Sequence, residues 1–295
     1  MILKKIWDYI FKEELKVDPS EYNIIFTQPL MSSKNEKEKI AEIMFENFNA
    51  PSLYLAYSID LSFYSSGKES GLFIDLGGNS TQISAFLNDL PIPCKFERLY
   101  YGGNAITDYL CNIFHQNVKK YYNDKNKIIV ENIKEKACYV ALNYEEEKVE
   151  PYHYDLLDNT DLIIEKERIQ APEVLFKPSL ITKEDIGLHQ ACNKIIENCG
   201  DDIKKILYNN IYLSGGNSLL EGLNARLAKE IKNIPLYSFE EEVNVISQFY
   251  GQFSTWIGGE MISELSTFND IKINYEMYQD SGSSIIYKND NYMLK

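Results

Sequence analysis

Histidine is scarce in this sequence: His115, His153 and His189 are the only three in 295 residues, with no HExxH and no histidine-rich tract. A structural zinc or a histidine-based hydrolase therefore has little to be built from. The five cysteines, Cys94, Cys111, Cys138, Cys192 and Cys199, contain no CxxC pair. An odd, scattered set suits reduced thiols and predicts a cytosolic or nuclear protein. No GxxxxGK[ST] loop is present, which excludes a P-loop NTPase, and no GxGxxG opens a strand–helix unit, which leaves a dinucleotide fold without its fingerprint. No run of eighteen apolar residues occurs, so no membrane span is expected. Positive charge is also short: 30 Lys and Arg against 44 Asp and Glu leave a net charge of −14. Such a chain repels phosphate backbones and anionic bilayers, so direct nucleic-acid binding is not expected.

What is present is the composition of a folded chain, 44% hydrophobic and 25% charged. The opening MILKKIWDYIFKEELKV places Ile2, Leu3, Ile6, Trp7, Ile10 and Phe11 on one helical face, interrupted by charges, and so reads as an amphipathic helix and not a signal peptide. YNIIFTQPL reads as a short buried strand ended by Pro29. Ser33 with Glu36 fits a capping box, and Ile40, Ile43, Met44 and Phe48 line the helix it would start. PSLYLAYSIDLSFYSSG is strand or helix up to Gly67. Two helices follow over AITDYLCNIFHQNVKKYY and KIIVENIKEKACYVALNY, joined by the loop-like NDKNK. The acidic stretch from Glu145 to Gln170 reads as weak strands or loop. KEDIGLHQACNKIIENC is helical, NNIYLSGG is a strand, and SLLEGLNARLAKEIKNI is a helix whose Leu220, Leu223, Leu227, Ile231 and Ile234 are core. Strands followed by helices predict an α/β architecture with a mostly parallel sheet.

Two glycine clusters sit at strand ends, DLGGNST (75–81) and SGGNS (214–218). Glycine lets backbone approach an anion, and successive N–H groups can converge on a phosphate oxygen. The second cluster is expected to open a helix, whose N-terminus favours negative charge. Asp75, at the tip of its strand, could hold a water-coordinated Mg²⁺. The competing reading is plain: a Gly-Gly at a hairpin is commonly only a turn, and one before a helix only close packing.

At IKEKACYVALNYEEE (133–147) the sequence resembles actin. EKIAEIMFENFNAPSLYLA, SFYSSGKESGLFID, ERIQAPEVLFKPS, GLHQACNKII, NNIYLSGGNSLLEGLNARLAKEI and FSTWIGGEMISELSTFNDIKINYEMYQDSGSSI resemble the same family in order, over nearly the whole chain. The resemblance implies the sugar kinase–Hsp70–actin type of fold, with two lobes around a cleft for ATP or ADP and Mg²⁺. It implies first-lobe residues 1–65 and 254–295, an inner second-lobe subdomain at 66–101 and 184–253, and an outer one at 102–183. Carried over by position, Asp75 is the metal-associated aspartate, and Gly77, Gly78 and Asn79 form the phosphate turn. Gly103, Lys134 and Glu135 match positions around ribose and adenine. Gly215, Gly216 and Asn217 match the loop beneath the nucleotide, and Gln252 stands where the family usually has an adenine-facing lysine.

The departures shape the functional expectation. By this resemblance the chain starts past the family's first phosphate hairpin and small subdomain, and residues 1 to 30 supply no second Asp-Gly hairpin. The first lobe is thus expected to be incomplete, with an exposed sheet edge. The water-positioning glutamine and histidine of the family fall at Ser58 and Gln82, and its second aspartate at Gly78. Gln82 cannot relay a proton as imidazole does. The loop LITKEDIGLH carries a charged tip, Thr182 to Asp185, read as solvated surface, so self-polymerisation is not expected. The leading expectation is an actin-like structural subunit of a cytoskeletal assembly, partnered by actin or other cytoskeletal proteins. Nucleotide binding is expected to be weak or absent and hydrolysis inefficient. Its compartment is the cytoplasm, with the nucleus as the second candidate. The rivals are an ATP-binding filament former whose N-terminus is missing from the gene model, a chromatin-remodelling actin-related subunit, and, more distantly, a small-molecule kinase of the same superfamily.

Overall fold

A computed structural model describes residues 2–116, 127–156, 161–182, 186–234, 242–288 and 292. The chain divides into two compact units, Met1–Ser65 with Thr255–Lys295, and Ser66–Ser254. The charged tip at 183–185, and all of the NDKNK loop before Lys127, lie outside the described residues.

The first unit opens with α1 (Ile2–Tyr9), continued by one wider turn over Ile10–Leu15. Only part of the anticipated apolar face is used. Trp7 is buried edge-on against Phe26, and Phe11 packs against Phe48, whereas Ile2, Leu3, Ile6 and Ile10 remain exposed. Strand β1 (Asn23–Gln28) runs parallel to β2 (Ser52–Tyr57). It forms an edge of a three-stranded sheet and is largely half-exposed, not the buried strand that its apolar letters suggest. Between them, the capping box at Ser33 and Glu36 is formed in both directions and starts α2 (Lys34–Glu42). The ambiguous stretch after Pro51 is both elements in turn, β2 and then α3 (Ser58–Ser65).

The second unit holds the larger core. Strands β3 (Gly71–Leu76), β4 (Thr81–Leu87) and β5 (Leu90–Leu99) form an antiparallel meander. On its other side β3 is parallel to β8 (Ile211–Ser214), which is parallel to β9 (Val245–Ser247). All six residues of β3 are buried, as a central strand covered on both faces requires. Helices α4 (Gly103–Gln116) and α5 (Lys127–Ala137) follow, then a two-stranded hairpin β6 (Tyr152–Asp155) and β7 (Asp161–Ile164), and the single turn α6 (Glu167–Gln170). Helices α7 (Leu188–Glu197) and α8 (Asp201–Asn209) precede β8, and α9 (Leu223–Lys232) precedes β9. Leu223, Leu227 and Ile231 are fully buried, as their helical spacing predicts.

After Ser254 the chain returns to the first unit through α10 (Ser254–Glu264), α11 (Phe268–Ile271), the two-residue strand β10 (Ile273–Asn274) antiparallel to β2, and α12 (Tyr275–Ser281).

Candidate functional site

The turn between β3 and β4 is held by hydrogen bonds from other parts of the second unit. Gly77 N–H donates to the Ser80 carbonyl at 3.2 Å and closes the turn. Neither Gly77 nor Gly78 has a left-handed backbone, so turn conformation does not demand glycine here. The turn carbonyls are fastened from outside. The first two amides of α4, at Gly103 and Asn104, donate to the Gly77 and Gly78 oxygens at 3.0 and 2.8 Å. Asn217 Nδ2 donates to the Leu76 and Gly77 oxygens at 3.1 and 2.9 Å. Asn104 Nδ2 donates to Asn79 Oδ1 at 2.6 Å. No backbone acceptor among the described residues takes the amide hydrogens of Gly78 or Asn79.

The second glycine cluster behaves differently from its sequence reading. Gly215–Gly216 opens a single 3₁₀ turn, Gly216–Leu219, and not a long helix; α9 starts only after Gly222, a left-handed residue. A helix-dipole anion site is therefore not available at this cluster. Its two glycines also divide the labour. Gly215 has φ +80, and a Cβ there would stand 2.5 Å from the Leu76 oxygen, so it serves chain packing. Gly216 is exposed and a Cβ there meets no atom within 4 Å.

A cavity of about 490 Å³ opens beside these elements, within the roughly 300–1,000 Å³ range usual for small-molecule sites. Seven of the anticipated residues line it: Gly78, Gly103, Lys134, Glu135, Gly216, Asn217 and Gln252. Gly77, Asn79 and Gly215 are not in the lining; Asn79 is exposed on the turn beside it and accepts from Asn104, which is in the lining. Ser58 is half-buried at the start of α3 in the other unit, where its carbonyl accepts from Thr255 Oγ1 at 3.3 Å. Lys134 is buried, its Nζ 3.4 Å from the Gly103 oxygen and 3.9 Å from Glu131 Oε1.

Several lining residues have no sequence signal of their own, including Asn104, Cys138, Leu219 and Glu221, while Leu220, expected on the core face of a helix, lies before α9 and lines the cavity. Glu131 could have been found, because it lies one helical turn before Lys134 on the same face. Cys138 is inert as a nucleophile, since burial pushes its thiol up to about 12.

At the end of β3, Asp75 is 8% exposed and Gln82, opposite it on β4, 4%. Gln82 Nε2 donates to Asp75 Oδ2 at 3.2 Å. A neutral amide thus meets the carboxylate. Among the described residues, no three His, Cys, Asp or Glu side chains converge to hold a metal ion, and no helix is long and apolar enough to cross a membrane.

The sequence model of the actin family matches residues 2–290. Actin-like protein 7A of Rattus norvegicus is 33% identical over 291 residues, covering 97% of this chain and 65% of that protein. The Mus musculus protein of the same name matches with the same identity and coverage. This chain therefore spans about 65% of the length of the curated relatives it matches.

Proposed function

The chain belongs to the actin family, its mixed α/β architecture is consistent with that family's fold, and we propose that it is an actin-like structural subunit of a cytoskeletal assembly. In this reading its partners are actin or other cytoskeletal proteins, in the cytoplasm, with the nucleus as the second compartment. An adenine nucleotide enters the cavity of the second unit weakly and is not hydrolysed efficiently. Lys134, Glu135 and Gln252 flank base and ribose, while Gly78, Asn79 and Gly216 approach the phosphates.

One observation carries the catalytic half of this reading: the buried side chain facing Asp75 is the amide of Gln82, at 3.2 Å. An amide neither accepts nor relays a proton at neutral pH, so it cannot serve as the general base toward an attacking water. When bound, the nucleotide supplies only the phosphate bond to be broken; this chain's residues orient it without activating a nucleophile. Purified protein incubated with Mg-ATP is expected to release no inorganic phosphate above the buffer rate over hours. Steady release that Asp75→Ala abolishes would overturn the proposal. Sedimentation after addition of salt and Mg²⁺ tests the assembly half, with the chain expected to stay in the supernatant on its own and to pellet with actin filaments.

A further inference from the structure

The electrostatics of the cavity sharpen the proposed reading, on which this inference rests. A helix N-terminus ordinarily offers amide hydrogens and partial positive charge to an anion. In α4 the first two amides are already spent on the Gly77 and Gly78 carbonyls. The cavity lining carries three carboxylates, Glu131, Glu135 and Glu221, against two ammonium groups, Lys134 and Lys136, and no arginine. Lys134 is itself engaged by the Gly103 oxygen and lies 3.9 Å from Glu131. The charged lining is thus net negative, which offsets the amide hydrogens left at Gly78 and Asn79, so that each phosphate added to a ligand meets as much repulsion as attraction.

The metal end is no better supplied. A magnesium ion bridging phosphates calls for carboxylate oxygens free to approach it or its waters. Asp75 is not among the residues that line the cavity, its Oδ2 accepts from the Gln82 amide, and the turn carries no other carboxylate from Gly77 to Ser80. These residues do not fit a magnesium–phosphate group. What remains in the lining is suited to neutral, partly apolar matter: Leu219 and Leu220 for a ring face, and Gln252 with the side-chain oxygens of Asn104 and Asn217 for polar edges.

We infer that this cavity reads the nucleoside and is indifferent to its phosphates and their metal. Adenosine, AMP, ADP and ATP bind with Kd values within about fivefold of one another, the scale of partly exposed charge interactions, and magnesium changes none of them. A site of this kind would hold the same occupant whatever the phosphorylation state of the adenylate pool.

The test is competition of the four ligands against a fluorescent adenosine analogue on the full chain, with 5 mM MgCl₂ or EDTA at about 150 mM salt. The expected result is four similar displacement curves that superimpose in both buffers. Two variants probe the cause. Glu131→Lys reverses the charge 3.9 Å from Lys134 and is expected to tighten ATP by about fivefold relative to its effect on adenosine. Gly78→Asp is sterically open, since a Cβ there makes only ordinary contact with Asn104 at 3.8 Å; it is expected to create a magnesium dependence for ATP alone. Wild-type ATP binding thirtyfold tighter than adenosine, or strengthened by magnesium, overturns this inference and leaves the nucleotide reading standing. Failure of all four ligands to bind overturns both. Adenosine binding retained in the variants, without any change for ATP, removes the electrostatic explanation and with it the inference.

Discussion

At the scale of single residues, two neighbouring glycines separate packing from binding. Gly215 is held at φ +80 against the Leu76 carbonyl, whereas Gly216 faces open space on the cavity. Gly216→Ala is therefore expected to leave thermal stability unchanged and to weaken ATP binding, because its methyl group occupies cavity volume where the phosphates approach; a loss of melting temperature would contradict this. His189 makes a second residue-scale prediction. It stacks on Phe176, with ring centroids 6.0 Å apart, and its Nδ1 is buried without a hydrogen-bond partner. Burial holds its pKa below the ordinary 6.5, opposed by Glu230 and reinforced by Arg226. A depressed folded pKa means the fold favours neutral imidazole. That contribution is complete above pH 6.5 and is lost as pH falls toward the folded value. The urea midpoint of wild type is expected to drop between pH 7.5 and 5.5 by more than that of His189→Phe. Equal drops would remove His189 as the cause.

Among the elements, the packing of α10 on α3 gives the sharpest contrast. A Cβ at Gly258 would overlap the Leu61 carbonyl oxygen, while one at Gly259 would touch only Leu61 Cδ1 at 3.7 Å. Gly258→Ala must push the helix off its neighbour and is expected to cost at least about 2 kcal/mol. Gly259→Ala relieves the entropy cost of a helical glycine and is expected to stabilise by about 0.5–1 kcal/mol. Urea denaturation of both variants checks the pair, and similar behaviour of the two would refute the packing argument. The capping box of α2 was legible from Ser33 and Glu36, since its chemistry is local. The 3₁₀ turn after Gly216 was not, because Gly222 and its contact with the Val140 carbonyl are what postpone α9 to Leu223.

For the whole molecule, the charge of −14 sets a direction that no single contact reverses. Like charges in a compact state repel, and added salt screens them over about 10 Å at 0.1 M. The melting temperature is expected to rise between 20 and 300 mM NaCl. A fall would mean that attractive pairs such as Lys204–Glu197 and Arg226–Glu173 outweigh the net repulsion.

The amino-acid order alone carried the α/β class, the strand–turn–strand around Asp75 and the capping box at Ser33, each of which depends on periodicity or on neighbours a few residues apart, and, through matching blocks of sequence, the family resemblance. It also placed Gln82 and Gly78 at informative positions. Tertiary structure alone decided what those positions do. Asn217 reaches the Gly77 carbonyl across 140 residues of sequence, and the α4 amides close on a turn some 25 residues earlier. Gln82 meets Asp75 only because the β3–β4 register sets them opposite. Local chemistry names the donors and acceptors available, whereas the long-range pairing of strands determines which of them are already satisfied, and only the remainder can bind.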